Sequence, residues 1–121
     1  MKRLQQKLEE KGYQIVLQHH RTKAENVLIV QKPIDKISHI ILDYKFNKLN
    51  YLKEISFEAY PIASELGEYR EHILPHDFDD MGQLIGRISY EIISASTAFR
   101  QKEKELEMLR KQVNLFEDLT V

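Results

Sequence analysis

Apolar positions fall into three spacings along this chain, and each spacing predicts a different element. Leu4 and Leu8 stand four apart in an otherwise polar run, and Gly12 follows as a stop signal. Residues 2–11 therefore predict a short helix whose narrow stripe rests on a surface. From Tyr13 the period becomes two, with Tyr13, Ile15 and Leu17 alternating with Gln14, Val16 and Gln18. Val27-Leu28-Ile29-Val30 is a continuous apolar run suited to a strand covered on both faces, and Pro33 ends it because proline donates no ladder bond. A third strand is expected near residues 38–46, with Ile40, Leu42, Tyr44 and Phe46 facing one way and Ile41, Asp43 and Lys45 the other. Residues 22–26 and 47–50 read as turns.

Residues 51–60 fit two periods. Ile55, Phe57 and Ala59 alternate as in a strand, while Leu52, Ile55 and Ala59 fit a helical stripe. The aromatic side chains of Tyr51, Phe57 and Tyr60 favour the strand. Residues 61–75 then form a connection, with a short helix around 64–73. The fold class expected is α+β: a short N-terminal helix, an antiparallel sheet of about four strands, and a long C-terminal helix with coiled-coil heptads.

That last helix is the most informative segment. After Pro75, Asp77 is a candidate N-cap, with Asp79 and Asp80 in the first turn where carboxylates meet the positive end of the helix dipole. The apolar positions then step by three and four: Phe78, Met81, Ile85, Ile88, Ile92, Ala95, Phe99, Lys102, Leu106, Leu109, Val113, Phe116 and Thr120. This is an a/d register with Lys102 and Thr120 as its polar exceptions. Leu84, Tyr90, Ile93 and Ala98 flank the first half and predict a wide face against a sheet. Gly82 and Gly86 fit a close approach of helix to sheet. From residue 100 the stripe narrows between charged flanks, as a seam against another helix would.

Length sharpens the point. Residues 78–119 would span about 63 Å as one helix, against a diameter of roughly 35 Å for a compact chain of this size. Leucine, valine and phenylalanine left beyond the head would each forgo about 1.5–3 kcal/mol of burial. The helix can pair with another chain, or it can break near Ser94-Ala95-Ser96-Thr97 and fold back. Pairing is preferred, because those four residues include no glycine or proline to make a turn. The expected organisation is a head of residues 1–99 and a coiled-coil extension of 100–121, self-associating as a homodimer through Phe99, Leu106, Leu109, Val113 and Phe116. In a parallel pair Glu105 at g would face Arg110 at e of the neighbour. An antiparallel pair is the alternative.

Composition narrows the chemistry. The 121 residues suit one domain. Cysteine is absent, which removes disulfides, thiol nucleophiles and cysteine-based metal sites. The start of the chain is charged and polar rather than signal-like, and nowhere do the roughly 20 apolar residues of a membrane span occur, so a cytoplasmic location is expected, with no membrane contact. The net charge of −1 conceals a division: residues 1–53 hold eleven Lys/Arg and five Asp/Glu, residues 54–121 seven and fourteen. Such a division bears on partners rather than on fold.

Two segments could carry binding chemistry. His72, His76, Asp77, Asp79 and Asp80 place two imidazoles and three carboxylates in nine residues, a set that suits a divalent metal, although Pro75 interrupts the helix that would align His72 with His76. A helix-entry loop with an acidic cap explains the same residues. His19, His20, Arg21, Lys23 and Lys32 form a basic stretch for nucleic acid, with Tyr13, Tyr44 and Tyr51 for stacking, but a pI near 6.5 weighs against it. Nucleophile elbow, phosphate loop and dinucleotide fingerprint are all missing, and no cofactor is implied. The sequence therefore points to a non-enzymatic protein–protein interaction module, such as an adaptor, inhibitor or small regulator, whose protein target it does not identify. A dimeric nucleic-acid-binding protein is the alternative, and a metal-binding protein at 72–80 the more remote one.

Overall fold

The computed structural model describes residues 2–20, 25–30, 35–46 and 51–120, with side chains at 4–14, 35–45 and 51–114. A helix α1 (Lys2–Glu10) leads into strands β1 (Ile15–His20), β2 (Glu25–Val30), β3 (Ile37–Phe46), β4 (Leu52–Pro61) and β5 (Tyr69–Ile73), and helix α2 (Met81–Thr120) closes the chain. The five strands form one antiparallel sheet in sequence order. The fold is thus α+β, with the expected short first helix, antiparallel sheet and long last helix.

Gly12 ends α1 for a definite reason. Its N–H donates to the Glu9 carbonyl at 2.9 Å and the Tyr13 N–H to the Leu8 carbonyl at 3.1 Å, a Schellman arrangement that needs the positive φ of 89°. Tyr13 then packs against the core beside it. Leu4 and Leu8 are fully buried, so the narrow stripe of α1 is a complete anchor.

Alternation in β3 and β4 places Ile40, Leu42 and Tyr44 beside Ile55, Phe57 and Ala59 on one face, all buried. A shift in pairing between Ile37 and His39 inserts one extra residue. That bulge turns Ile37 onto the same inner face, which strict alternation from Ile40 would not. Over this face lies α2, with Leu84, Ile85, Ile88, Ile92, Ala95 and Phe99 buried against it. Among the described residues no helix is long and apolar enough to cross a membrane.

Several expectations are corrected here. The count of about four strands is wrong: β5 stands where a short helix around 64–73 was expected, and only a 3-10 turn, Ser64–Leu66, is helical there. Along β5 only Ile73 is buried, so the strand carries almost no apolar alternation to read. Short and charged, it is also a protected edge. Among the described side chains, those that the strands contribute to the core come from β3, β4 and β5.

The helix cap lies three residues later than expected. Asp80, not Asp77, accepts the Gln83 N–H at 2.8 Å, while Gln83 reaches back to the Asp79 N–H at 2.7 Å. Asp77 instead accepts the Leu74 N–H at 2.8 Å and closes the preceding 3-10 turn, Pro75–Asp77.

The apolar face of α2 is narrower than expected, since Tyr90 and Ile93 are 62% and 66% exposed. Nor do the glycines serve close approach to the sheet. A Cβ at Gly86 would meet nothing within 4 Å, and one at Gly82 only the Asp80 carboxylate. Gly86→Ala is therefore expected to stabilise the fold by about 1 kcal/mol through helix propensity alone, read as a higher urea midpoint at unchanged slope.

Finally, α2 does not break at residues 94–97. Ile92 and Phe99 are pinned in the core on either side with Ala95 buried between them, and the Thr97 hydroxyl donates to the Ile93 carbonyl at 2.9 Å within an unbroken helix.

Candidate interaction surface

A 40-residue helix is about 60 Å long, and the head covers only part of it. Three ion pairs mark how far that cover extends. Arg100 Nε donates to Asp35 at 2.6 Å, Lys36 Nζ lies 3.2 Å from Glu103, and Arg110 Nη2 reaches both oxygens of Glu65 at 3.1–3.2 Å. Asp35 sits at φ 53°, left-handed backbone that turns its carboxylate toward the helix. The Arg100 guanidinium holds that carboxyl below its usual range, first by hydrogen bond and then by charge. Each of these pairs is substantially solvated, so they orient the helix more than they stabilise the fold.

The five residues expected to self-associate separate into distinct environments along this length. Phe99 is 2% exposed and belongs to the core of its own head. Its assignment to an interface is corrected, because at that point the stripe is still pressed on β-sheet. Leu106 packs partly against the same core. Leu109 and Val113 are 56% and 54% exposed, and Met108 beside them is exposed as well. The Phe116 side chain lies outside the described residues. Leu106, Leu109, Arg110, Val113 and Asn114 line a shallow groove of about 260 Å³. The seam thus opens within the span 106–109 and not at residue 100. Arg110, which a parallel pair would present to Glu105 of a neighbour, is engaged with Glu65 of its own chain.

The other candidates fare differently. His19 and His20 end β1, but their side chains, like Arg21, Lys23 and Lys32 altogether, lie outside the described residues. In the segment 72–80, His72 is an exposed residue of β5, His76 and Arg87 both lie 3.5 Å from Asp77, and Asp80 is occupied as the helix cap. Among the described residues no three His, Asp or Glu side chains converge as a metal would need.

Two polar clusters escaped the sequence reading. On the face of the sheet away from α2, His39 stacks on Tyr60 at 4.9 Å between ring centres, above a depression of about 530 Å³ that includes Ser64, Gly67 and Glu68. Tyr60 donates to Glu58 at 2.7 Å, which raises its phenol pKa. Cross-strand pairing across a bulge brings these residues together, and no local pattern announces it.

The second cluster lies under α2. Glu91 is 2% exposed; it accepts from Tyr69 Oη at 2.6 Å and from Arg87 Nε at 2.9 Å. Burial first, and then Glu91, push the Tyr69 phenol up to about 12. Glu91 follows Arg87 by four, an ordinary helical pair in sequence. Its third member comes from the strand that the alternation did not reveal.

Neither a protein-family model, nor a curated protein, nor a solved structure matches this chain.

Proposed function

We propose that this protein is a non-enzymatic interaction module that self-associates through the end of α2 and presents two heads to a protein target, as an adaptor, inhibitor or small regulator does. The observation that carries this reading is the exposure of Leu109 and Val113 on an unbroken helix, in line with the stripe that is buried from Ile85 to Phe99. Seam residues of this kind are each worth about 1.5–3 kcal/mol when buried. The head takes up the stripe only as far as Leu106. Met108 widens the open surface and can adapt to a partner's shape. Arg110 at e and Glu105 at g border the apolar strip with charge on its two sides, as in helices that pair.

Light scattering behind a sizing column tests the proposal. The wild-type chain at tens of micromolar is expected at twice its 14.4 kDa. Leu109→Glu with Val113→Glu is expected at the single mass, with the thermal unfolding of the head retained. A wild-type chain at the single mass would overturn the reading.

A further inference from the structure

Resting on that self-association, we infer that the two copies pair antiparallel, tail over tail across residues 109–120, with their heads at opposite ends. The first argument is steric. The stripe on α2 faces its own sheet from Ile85 to Phe99 and still meets the head at Leu106. Leu109 and Val113 continue the same line beyond it. A partner helix seated on them lies about 8–10 Å away, on the side that the head occupies. Were that partner parallel, its residues N-terminal to 109 would run back into the first head. An antiparallel partner runs the other way along α2 and carries its own head away from the first.

Charge selects the register. In the heptad Arg110 and Glu117 both take position e, Val113 takes a and Phe116 takes d. An antiparallel pair sets a against d and e against e. With position 113 set against the partner's position 116, position 110 shares the e–e register with the partner's position 117, a basic residue against an acidic one, twice about the two-fold axis. Sliding by one heptad, with Leu106 against the partner's Phe116, sets Arg110 against the partner's Arg110 and Glu103 against the partner's Glu117. Both contacts are then repulsive. The favoured register uses the stretch past Leu106 and leaves Lys102 out of the seam, whereas a parallel pair extended to that layer would set Lys102 against the partner's Lys102. Arg110 already leans on Glu65, which holds its guanidinium at the edge of the seam.

The absence of native cysteine allows single spin labels at Lys104→Cys and Lys111→Cys, both at outward positions f. Antiparallel pairing about a two-fold axis between residues 114 and 115 makes the axial separation of the two labels about 32 Å at position 104 and about 11 Å at position 111, at about 1.5 Å per residue. Parallel pairing makes the two separations equal. A fall in distance from 104 to 111 in the full-length dimer is the expected result. A dimer with equal distances would overturn the antiparallel arrangement while leaving self-association intact, and a chain with no inter-label distance and a single mass would overturn self-association itself. A charge exchange adds an independent readout. Arg110→Glu alone is expected to weaken the dimer several-fold, and adding Glu117→Arg in the same chain is expected to restore it. Failure of that restoration also overturns the register.

Discussion

Replacing Glu91 by alanine is expected to remove about 3–5 kcal/mol of stability, the usual cost of taking one partner from a buried charge pair. For a domain whose whole stability is about 5–15 kcal/mol, that is a large share. Glu91 is 2% exposed and accepts two hydrogen bonds, from Tyr69 on β5 and from Arg87 one turn back along α2. Without the carboxylate, Arg87 keeps Asp77 at 3.5 Å and the charge of Glu71, and the Tyr69 hydroxyl loses Glu91 as its acceptor. The edge strand β5 then has little to hold it to the helix beyond Ile73 and the ring of Tyr69, which packs edge-on to Phe57 at 6.0 Å.

An absorbance titration of the tyrosines supplies a second readout. In the wild-type chain Tyr69 ionises near 12, above its ordinary value of 10.0. The phenol is thus harder to ionise folded than unfolded, so its contribution is fully present below pH 10 and declines as the pH rises toward 12. In Glu91→Ala the burial remains and the carboxylate does not, so the ionisation moves down part of the way. Unchanged urea unfolding in the variant would show that the cluster is solvated and contributes nothing.

Phe99→Ala is expected to cost about 3–5 kcal/mol, as large-to-small changes of a buried aromatic ring do. The loss should be independent of protein concentration, because the ring sits at 2% exposure among the side chains of its own head. Leu109→Ala, one heptad layer past Leu106, should behave in the opposite way. It is 56% exposed, so it should leave the unfolding of a dilute, monomeric sample nearly untouched and weaken association instead. Urea unfolding at two concentrations for each variant separates the cases. A concentration-dependent midpoint for Phe99→Ala would return that ring to an interface.

These two residues also show how far the sequence could be read. Phe99 and Leu109 are both seam positions of one heptad pattern, and the narrowing of the stripe after residue 100 does not show which of them the head covers. Glu91 likewise looks like a solvated partner of Arg87 until a tyrosine from β5 arrives beneath the helix. The same holds for the capping carboxylate. Asp77, Asp79 and Asp80 are chemically equivalent candidates, and the 3-10 turn after Leu74 decides that Asp77 closes the turn while Asp80 begins the helix. By contrast, Gly12 and the alternation of Ile40, Leu42 and Tyr44 were legible, because a left-handed cap and a two-residue period are properties of the local chain.

By itself the sequence determined what depends on near neighbours: where α1 stops, which face of β3 and β4 turns inward, and that one apolar line runs down the whole of α2. A stripe records that a side is apolar, not what covers it. Tertiary structure alone decided that Phe99 lies under that cover and not in an open seam, that the cover thins at Leu106, and that β5 joins the sheet through pairing with almost no apolar signal of its own. The physical reason is reach. A helix advances about 1.5 Å per residue whatever lies beside it, so the point at which it outruns its head is set by the width of the head, and no local stretch of residues encodes that width.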